Sequence, residues 1–411
     1  MNTLIDYKYV RQNKYLYLLV FLILFASDAC YWCSTSGLTG FTNFKMAFDF
    51  ALPLLLFFLK KPISKGTVGY SIVIGLLLLV SSLVNASLTG GPVVLFFTIL
   101  AASLFTQFLS FEKFTVIYDH IIILLVLYSL LIYLLELLGI VSPATSENVV
   151  GVAMSHFGGI VTIVGDRIMR LSSIFREPGV FMMYINLAFL FNLLIGREVK
   201  VSKYIIYLLG IFASISTAGF LIFIILSLLY FKKKEKISFS SIFLVAIVIA
   251  AYFFIANNEI FSDKLFGKLD ANNESGSTIA RISSVFVPLK IAINHPIFGC
   301  GIENFKDEYM VASRELFHIA IDPQGSSTNT YTNMCALFGF WFGLWGLYCV
   351  YMFVRKYKKG FVGLVAFLAF LFIYSNESLV YNIIFYIPIF YYLSRQPAAP
   401  ITQIQNDNGK V

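Results

Sequence analysis

Asn257-Asn-Glu-Ile-Phe-Ser-Asp-Lys-Leu-Phe-Gly-Lys-Leu-Asp270 opens a polar, charged stretch that runs to Thr330 and interrupts a chain that is otherwise almost continuous hydrocarbon. The flanking sequence is a series of apolar runs with very short connections. Backbone at membrane depth must satisfy its own hydrogen bonds, so those runs read as spanning helices. The polar stretch escapes that constraint, and a single long loop among short ones is where function concentrates. Composition agrees. Hydrophobic residues make up 59% of the chain, charged residues 13%, and the mean hydropathy is +0.82. A soluble domain carries about a quarter charged residues. The net charge of +8 does not mark a nucleic-acid binder, because the Lys and Arg sit in short clusters between apolar runs, a pattern that orients helices.

The spans read outward from this loop as follows. Before it lie Tyr15–Cys33, Phe44–Leu59, Thr67–Asn85, Pro92–Leu109, Val116–Ile140, Pro178–Gly196, two crossings within Lys203–Phe231, and Ser238–Ala256. After it lie Tyr331–Val354, Phe361–Tyr374 and Leu379–Leu393. The run from Tyr15 is too long for a cleavable signal peptide and reads as the first span. Cytoplasmic loops are rich in Lys and Arg. Such clusters follow spans two, four, six, eight and ten, and Lys8, Arg11 and Lys14 precede the first. Keeping both Lys203 and the Lys232 cluster inside requires a hairpin between them, with its tip near Ser214-Ile-Ser-Thr-Ala-Gly219. The expectation is an all-α polytopic membrane protein of about twelve helices. Residues 1–256 hold spans one to nine with an outer loop at 141–177; 257–330 form the large extracytoplasmic loop; 331–394 hold three more spans. Residues 395–411 are a cytoplasmic tail, and both ends are inside.

The outer loops carry the chemistry. The first ends in Arg167-Ile-Met-Arg170-Leu-Ser-Ser-Ile-Phe-Arg176-Glu177-Pro178. Three Arg stand on the side where the charge rule disfavours them. Interfacial snorkelling would account for them; so would an anion site, since the guanidinium fork fits phosphate. Pro178 suits the first turn of the sixth span, which puts Glu177 at a positive helix end. In the long loop, Ile279, Ile282, Phe286, Leu289 and Ile293 recur at helical spacing around Arg281 and Lys290, as in an amphipathic helix at the membrane surface. A tight turn follows at His295-Pro-Ile-Phe-Gly-Cys-Gly301, then a second helix from Phe305. Asn329, before Tyr331, reads either as a helix cap or as a ligand for a sugar hydroxyl or phosphate oxygen. Glu377, in the short turn between the last two spans, is an ordinary loop charge or part of a site. Asp49, inside the second span, must face a helix neighbour. His120 and His156 read as structural. Cys30-x-x-Cys33 reads as packing thiols rather than a redox pair, and no His/Cys metal spacing is present.

The ordered set Arg170-Leu-Ser-Ser-Ile-Phe-Arg-Glu-Pro-Gly179, Ser216-Thr-Ala-Gly219, Arg281, His295-Pro-Ile-Phe-Gly-Cys-Gly301, Ser327-Thr-Asn329-Thr-Tyr331 and Gly339 resembles the bacterial Wzy-type O-antigen polymerases, within the superfamily that includes the O-antigen ligases. The resemblance implies a GT-C-like glycosyltransferase of the bacterial inner membrane. It would work on undecaprenyl-diphosphate-linked oligosaccharide, transferring a growing glycan to a sugar hydroxyl of a second repeat unit. No nucleotide cofactor or metal is implied. Membrane lipid, a chain-length regulator and a flippase are the implied surroundings. Arg170 and Arg281 would neutralise the leaving diphosphate. Glu177, His295 and Glu377 are the candidate general bases; Arg176, Asn329, Tyr331 and Glu377 are candidate substrate contacts. Ligases typically carry His before the Asn of the closing motif, where this chain has Thr328, and that departure leans toward polymerase. The hairpin tip also lacks the Arg that often follows its Ser. A ligase, a lipid-linked oligosaccharide flippase and a non-catalytic scaffold remain the competing readings.

Overall fold

In the computed structural model, residues 7–33, 42–59, 64–86, 89–147, 153–164, 169–233, 277–324 and 326–394 are described. The ninth span, residues 257–276, Arg167 and the tail lie outside them. A short polar helix, α1 (Tyr7–Gln12), precedes the expected runs, and the helices that follow are α2 (Lys14–Phe25), which stops at Phe25 rather than at the expected Cys33, α3 (Thr42–Phe58), α4 (Lys65–Val84), α5 (Gly90–Phe108), α6 (Phe111–Leu137), α7 (Pro178–Ile195), α8 (Val201–Ser214) and α9 (Thr217–Lys233). After the undescribed stretch come α10 (Ser277–Asn294), α11 (Phe305–Phe317), α12 (Thr330–Phe338), α13 (Phe340–Tyr357), α14 (Gly360–Tyr374) and α15 (Ile383–Leu393). Among the described residues, four helices are long and apolar enough to cross a membrane: Gly66–Val84, Gly90–Phe108, Phe111–Leu137 and Pro178–Ile195. The last is almost entirely enclosed, and α4 turns Ile72, Leu76, Leu79, Leu83 and Val84 outward. Exposed hydrocarbon of that kind is what a lipid-facing helix presents.

The expected hairpin is present. Tyr204 near the start of α8 donates to Ser227 near the end of α9 (2.8 Å) and its ring meets Phe223 and Phe231, so the two helices run antiparallel. Ile215 and Ser216 form the tip between them, with Ile215 at a φ of 47°.

Two features depart from the sequence reading. The outer loop expected at 141–177 holds a β-sheet, so the molecule is not all-α. Strands β1 (Ala144–Glu147), β2 (Ala153–Phe157), β3 (Ile160–Val164) and β4 (Met169–Ser173) form an antiparallel meander in the order β1-β2-β3-β4. Gly158 and Gly159 join β2 to β3, both at positive φ (57° and 82°), as a two-residue type I′ turn requires. The sheet docks on α6. That helix has 27 residues, about 40 Å, some 10 Å longer than the hydrocarbon layer. Tyr128 and Tyr133 on its last turns donate to the carbonyls of Gly158 (3.0 Å) and Met169 (2.9 Å), and Ser129 to Ser173 (2.7 Å). Its Glu136 receives the hydroxyls of Ser155 and Thr162.

The tenth span is also not one helix. It breaks at Gly339 into α12 and α13. The turn at His295–Gly301 lies against the break: Cys300 and Gly301 donate to the carbonyls of Ala336 (2.8 Å) and Leu337 (3.1 Å), and Phe340 donates to Pro296 (3.0 Å). Irregular backbone beside a bundle survives where protein satisfies it, and here the loop does so. The turn is tied in addition to the end of α4, since Ser81 and Asn85 both donate to the Phe298 carbonyl (2.6 and 3.2 Å). Val287 and Ile291 of α10, Cys300, Tyr309 and Ala312 of α11, and Ala336 of α12 make a small separate core. The apolar face anticipated for α10 is the exposed one: Ile279, Ile282, Phe286 and Ile293 point away from α12.

Candidate functional site

Four chain segments meet at the sheet end of the bundle. Glu177 stands at the N-cap of α7 with Pro178 in the first turn, as its sequence suggests. Arg176, just before it, forms an ion pair with Glu377 in the α14–α15 turn. Glu377 also accepts from the Ser378 amide (3.1 Å), and its own carbonyl accepts from the Thr330 hydroxyl (2.6 Å). Asn329 caps α12 by accepting from the Thr332 amide (3.1 Å), while its side-chain amide donates to Ser375 (3.1 Å). Of the two readings, the structure shows the cap. Asn333 bonds Ser378 (3.0 Å) and Ser327 (2.7 Å), closing the motif onto the same turn. Thr332 donates to the Ser284 carbonyl of α10 (3.0 Å), which brings Arg281, less than one turn away, to this end.

Arg170 on β4 gives Nε to the carbonyl of Ser214 (3.3 Å) and Nη2 to that of Ile215 (3.2 Å). It thereby caps the carboxyl end of α8, where the helix dipole favours a cation, and pins the hairpin tip to the sheet. Burial draws its guanidinium's proton affinity down, Glu177 opposes this, and the like charge of Arg281 adds to it. Arg170 and Arg281 thus lie within electrostatic reach of one another from separate elements, although Arg281 itself is exposed.

Glu377 is 3% exposed. Burial pushes its carboxyl up to about 7 against the pull of Arg176, with Glu177 and Asp28 adding to the rise. The pair tilts the other way at Arg176: burial weakens its proton affinity, but Glu377 and then Glu177 more than restore it, so the guanidinium stays charged. A carboxyl that titrates near neutrality beside a charged Arg can exchange a proton with a bound hydroxyl.

Two sequence-based candidates do not join this cluster. His295 lies just past the far end of α10, about 20 Å along the helix from Arg281, and its Nε2 faces Glu308 at 3.6 Å. Tyr331 is buried against Tyr374 and Phe385, so it meets the bundle core rather than a substrate. The α12 period turns it inward while Asn329 and Thr332 stay with the site.

Sequence reasoning passed over Asp28, which lies among these groups, and Asp119 inside α6. Asp119 receives Lys203 (2.5 Å), Arg197 (3.0 Å), Asn192 (3.0 Å) and Tyr207. It ties α6, α7 and α8 together at the end away from the sheet. A carboxylate nine residues into a long apolar helix was the available signal. Asp49 meets the expectation set for it, paired with Lys45 (2.9 Å) and touched by Thr98 of α5 (3.3 Å). His120 takes a structural place against Tyr17 (2.5 Å).

A mostly helical bundle with lipid-facing spans, and an ionic site built where a sheet, a hairpin tip and two helix turns converge, defines an integral membrane protein with a charged site at one end. Residues 204–347, about a third of the chain, match the family model described as O-antigen ligase. That match supports membership of the O-antigen polymerase/ligase superfamily. No curated protein matches it.

Proposed function

We propose that the chain is an oligosaccharide repeat-unit polymerase working at the outer face of the bacterial inner membrane. A hydroxyl oxygen of the acceptor repeat unit attacks the anomeric carbon of the glycan held on undecaprenyl diphosphate. The bond from that carbon to the diphosphate oxygen breaks, and undecaprenyl diphosphate leaves. Arg281 and Arg170 face the diphosphate and offset the charge it gains, at a position where preorganised cations act strongly. Glu377 takes the hydroxyl proton, with Arg176 holding it in place. Asn329 and Glu177 line the sugar side.

The observation that carries this reading is the convergence of Arg170, Arg176, Arg281, Glu177 and Glu377 from four segments at one end of the bundle. The clusters Arg197–Lys203 and Arg355–Lys359 lie at helix ends and their connections at the other end, which the charge rule makes cytoplasmic. Thr328 in place of the ligase His favours polymerase. Arg281→Ala should lower chain extension by about a hundredfold, giving a surface glycan of single repeat units at normal protein level. Long chains at normal protein level would remove Arg281 from the reaction. The second reading, a ligase, is favoured by the description of the matching family. In proteoliposomes given purified lipid-linked repeat unit, a growing ladder supports the polymerase; transfer only to added lipid A-core supports the ligase.

A further inference from the structure

The segment that follows α2 reaches the site without having been part of any motif. Arg176 donates its amide to the Ala29 carbonyl (3.1 Å), Tyr31 donates to Ile174 (2.9 Å), and Cys30 and Phe175 form an isolated antiparallel bridge. This short ladder fixes Asp28 beside the Arg176 segment. On its other side Asn382 directs one amide group to Asp28 Oδ1 (3.5 Å) and to the Tyr184 hydroxyl (3.0 Å), while its oxygen caps α15 (2.9 Å). Asp28 is thus held between the α7 approach and the α14–α15 turn that carries Glu377.

We infer that Asp28 is a positioning residue that sets the charge balance of the Arg176–Glu377 pair from the end of the first span. The inference rests on the proposed role of Glu377 as proton acceptor. The groups facing Glu377 are Arg176 and Glu177 from the segment entering α7, Asp28 from the turn after α2, Thr330 from α12, and the Ser378 amide of its own turn. Arg176 is the cation in that set; Asp28 and Glu177 are anions. A like charge raises the proton affinity of a neighbouring carboxyl, which is the direction seen at Glu377, and it strengthens the hold on the proton at Arg176. Asp28 thereby makes Glu377 a better base than its pairing with an Arg would allow, without touching the substrate itself.

The test is the pH dependence of chain extension by the full-length protein in proteoliposomes, with lipid-linked repeat unit purified from cells lacking this chain as the probe. Wild type should gain rate as pH rises through about 7. Asp28→Asn should move that midpoint down by roughly half to one pH unit. Asp28→Glu should keep it, and Glu377→Gln should abolish the limb together with most of the rate. If Asp28→Asn does not accumulate, Asp28→Cys modified with a neutral or an anionic thiol reagent serves instead; the anionic adduct should restore the wild-type midpoint and the neutral one should not. An unchanged midpoint in Asp28→Asn, or equal midpoints for the two adducts, overturns the inference while leaving the polymerase reading intact. A wild-type protein that makes no ladder at any pH overturns both.

Discussion

Arg170 and Arg281 are the same residue type at the same end of the bundle, but they do different work. Arg170 makes two bonds to helix-terminal carbonyls, and hydrogen bonds to a charged group contribute about 1.5–3 kcal/mol. Arg170→Met should therefore lower both the melting temperature in detergent and the rate of extension. Arg281 is exposed, and Arg281→Ala should lower the rate with the melting temperature unchanged. A matching stability loss in the two variants would show that both cations are structural. Glu377 carries a pH signature at the same scale. Its carboxyl is higher in the fold, at about 7, than in the unfolded chain, about 4.3. A raised value contributes stability that is full below the unfolded pKa and is lost as pH rises through the folded one. Wild-type melting temperature should fall between about pH 5 and 8, and Glu377→Gln should flatten that fall.

Among the elements, the break between α12 and α13 is the most exacting. Gly339 has a φ of 97°, and a Cβ there would lie 2.1 Å from the Ile297 carbonyl oxygen. Gly299 faces the Leu337 carbonyl carbon and the Phe338 amide at 2.3 Å in the same sense. The two glycines let the loop backbone and the broken helix share their hydrogen bonds at close range. Gly339→Ala should cost about 3 kcal/mol or more, read as a fall in melting temperature and in the yield of monodisperse protein. Wild-type behaviour would mean the close approach is not kept. The apolar face of α10 has a different origin. Its residues follow a helical period, yet the side buried on α12 is made of Ser283, Ser284, Val287 and Ile291. Period alone does not say which face meets protein and which meets lipid, because both are apolar solvents.

For the whole molecule, the Lys and Arg distribution predicts the orientation. Every described Cys is buried, so single introduced thiols report cleanly. Thr145→Cys on β1 should react with a membrane-impermeant reagent from outside intact cells, and Lys200→Cys, before α8, should react only after lysis. The reverse pattern would put the ionic site in the cytoplasm and end the polymerase reading. The sequence alone was enough to determine the class, the order and approximate limits of most of the described apolar helices, and the α8–α9 hairpin. Hydrocarbon length, helical period and Lys/Arg asymmetry are local properties, written in consecutive residues. The β-meander was partly legible, in Gly158-Gly159 between two runs of alternating residues, but its polar neighbours hid it. Only the tertiary structure decided the companions: Arg176 with Glu377, 201 residues apart, Arg170 on the tip of α8, Asp28 among them, His295 at the wrong end of α10 and Tyr331 in the core. Such pairings arise from how helices and turns are brought together in space, and no local spacing in the chain encodes them.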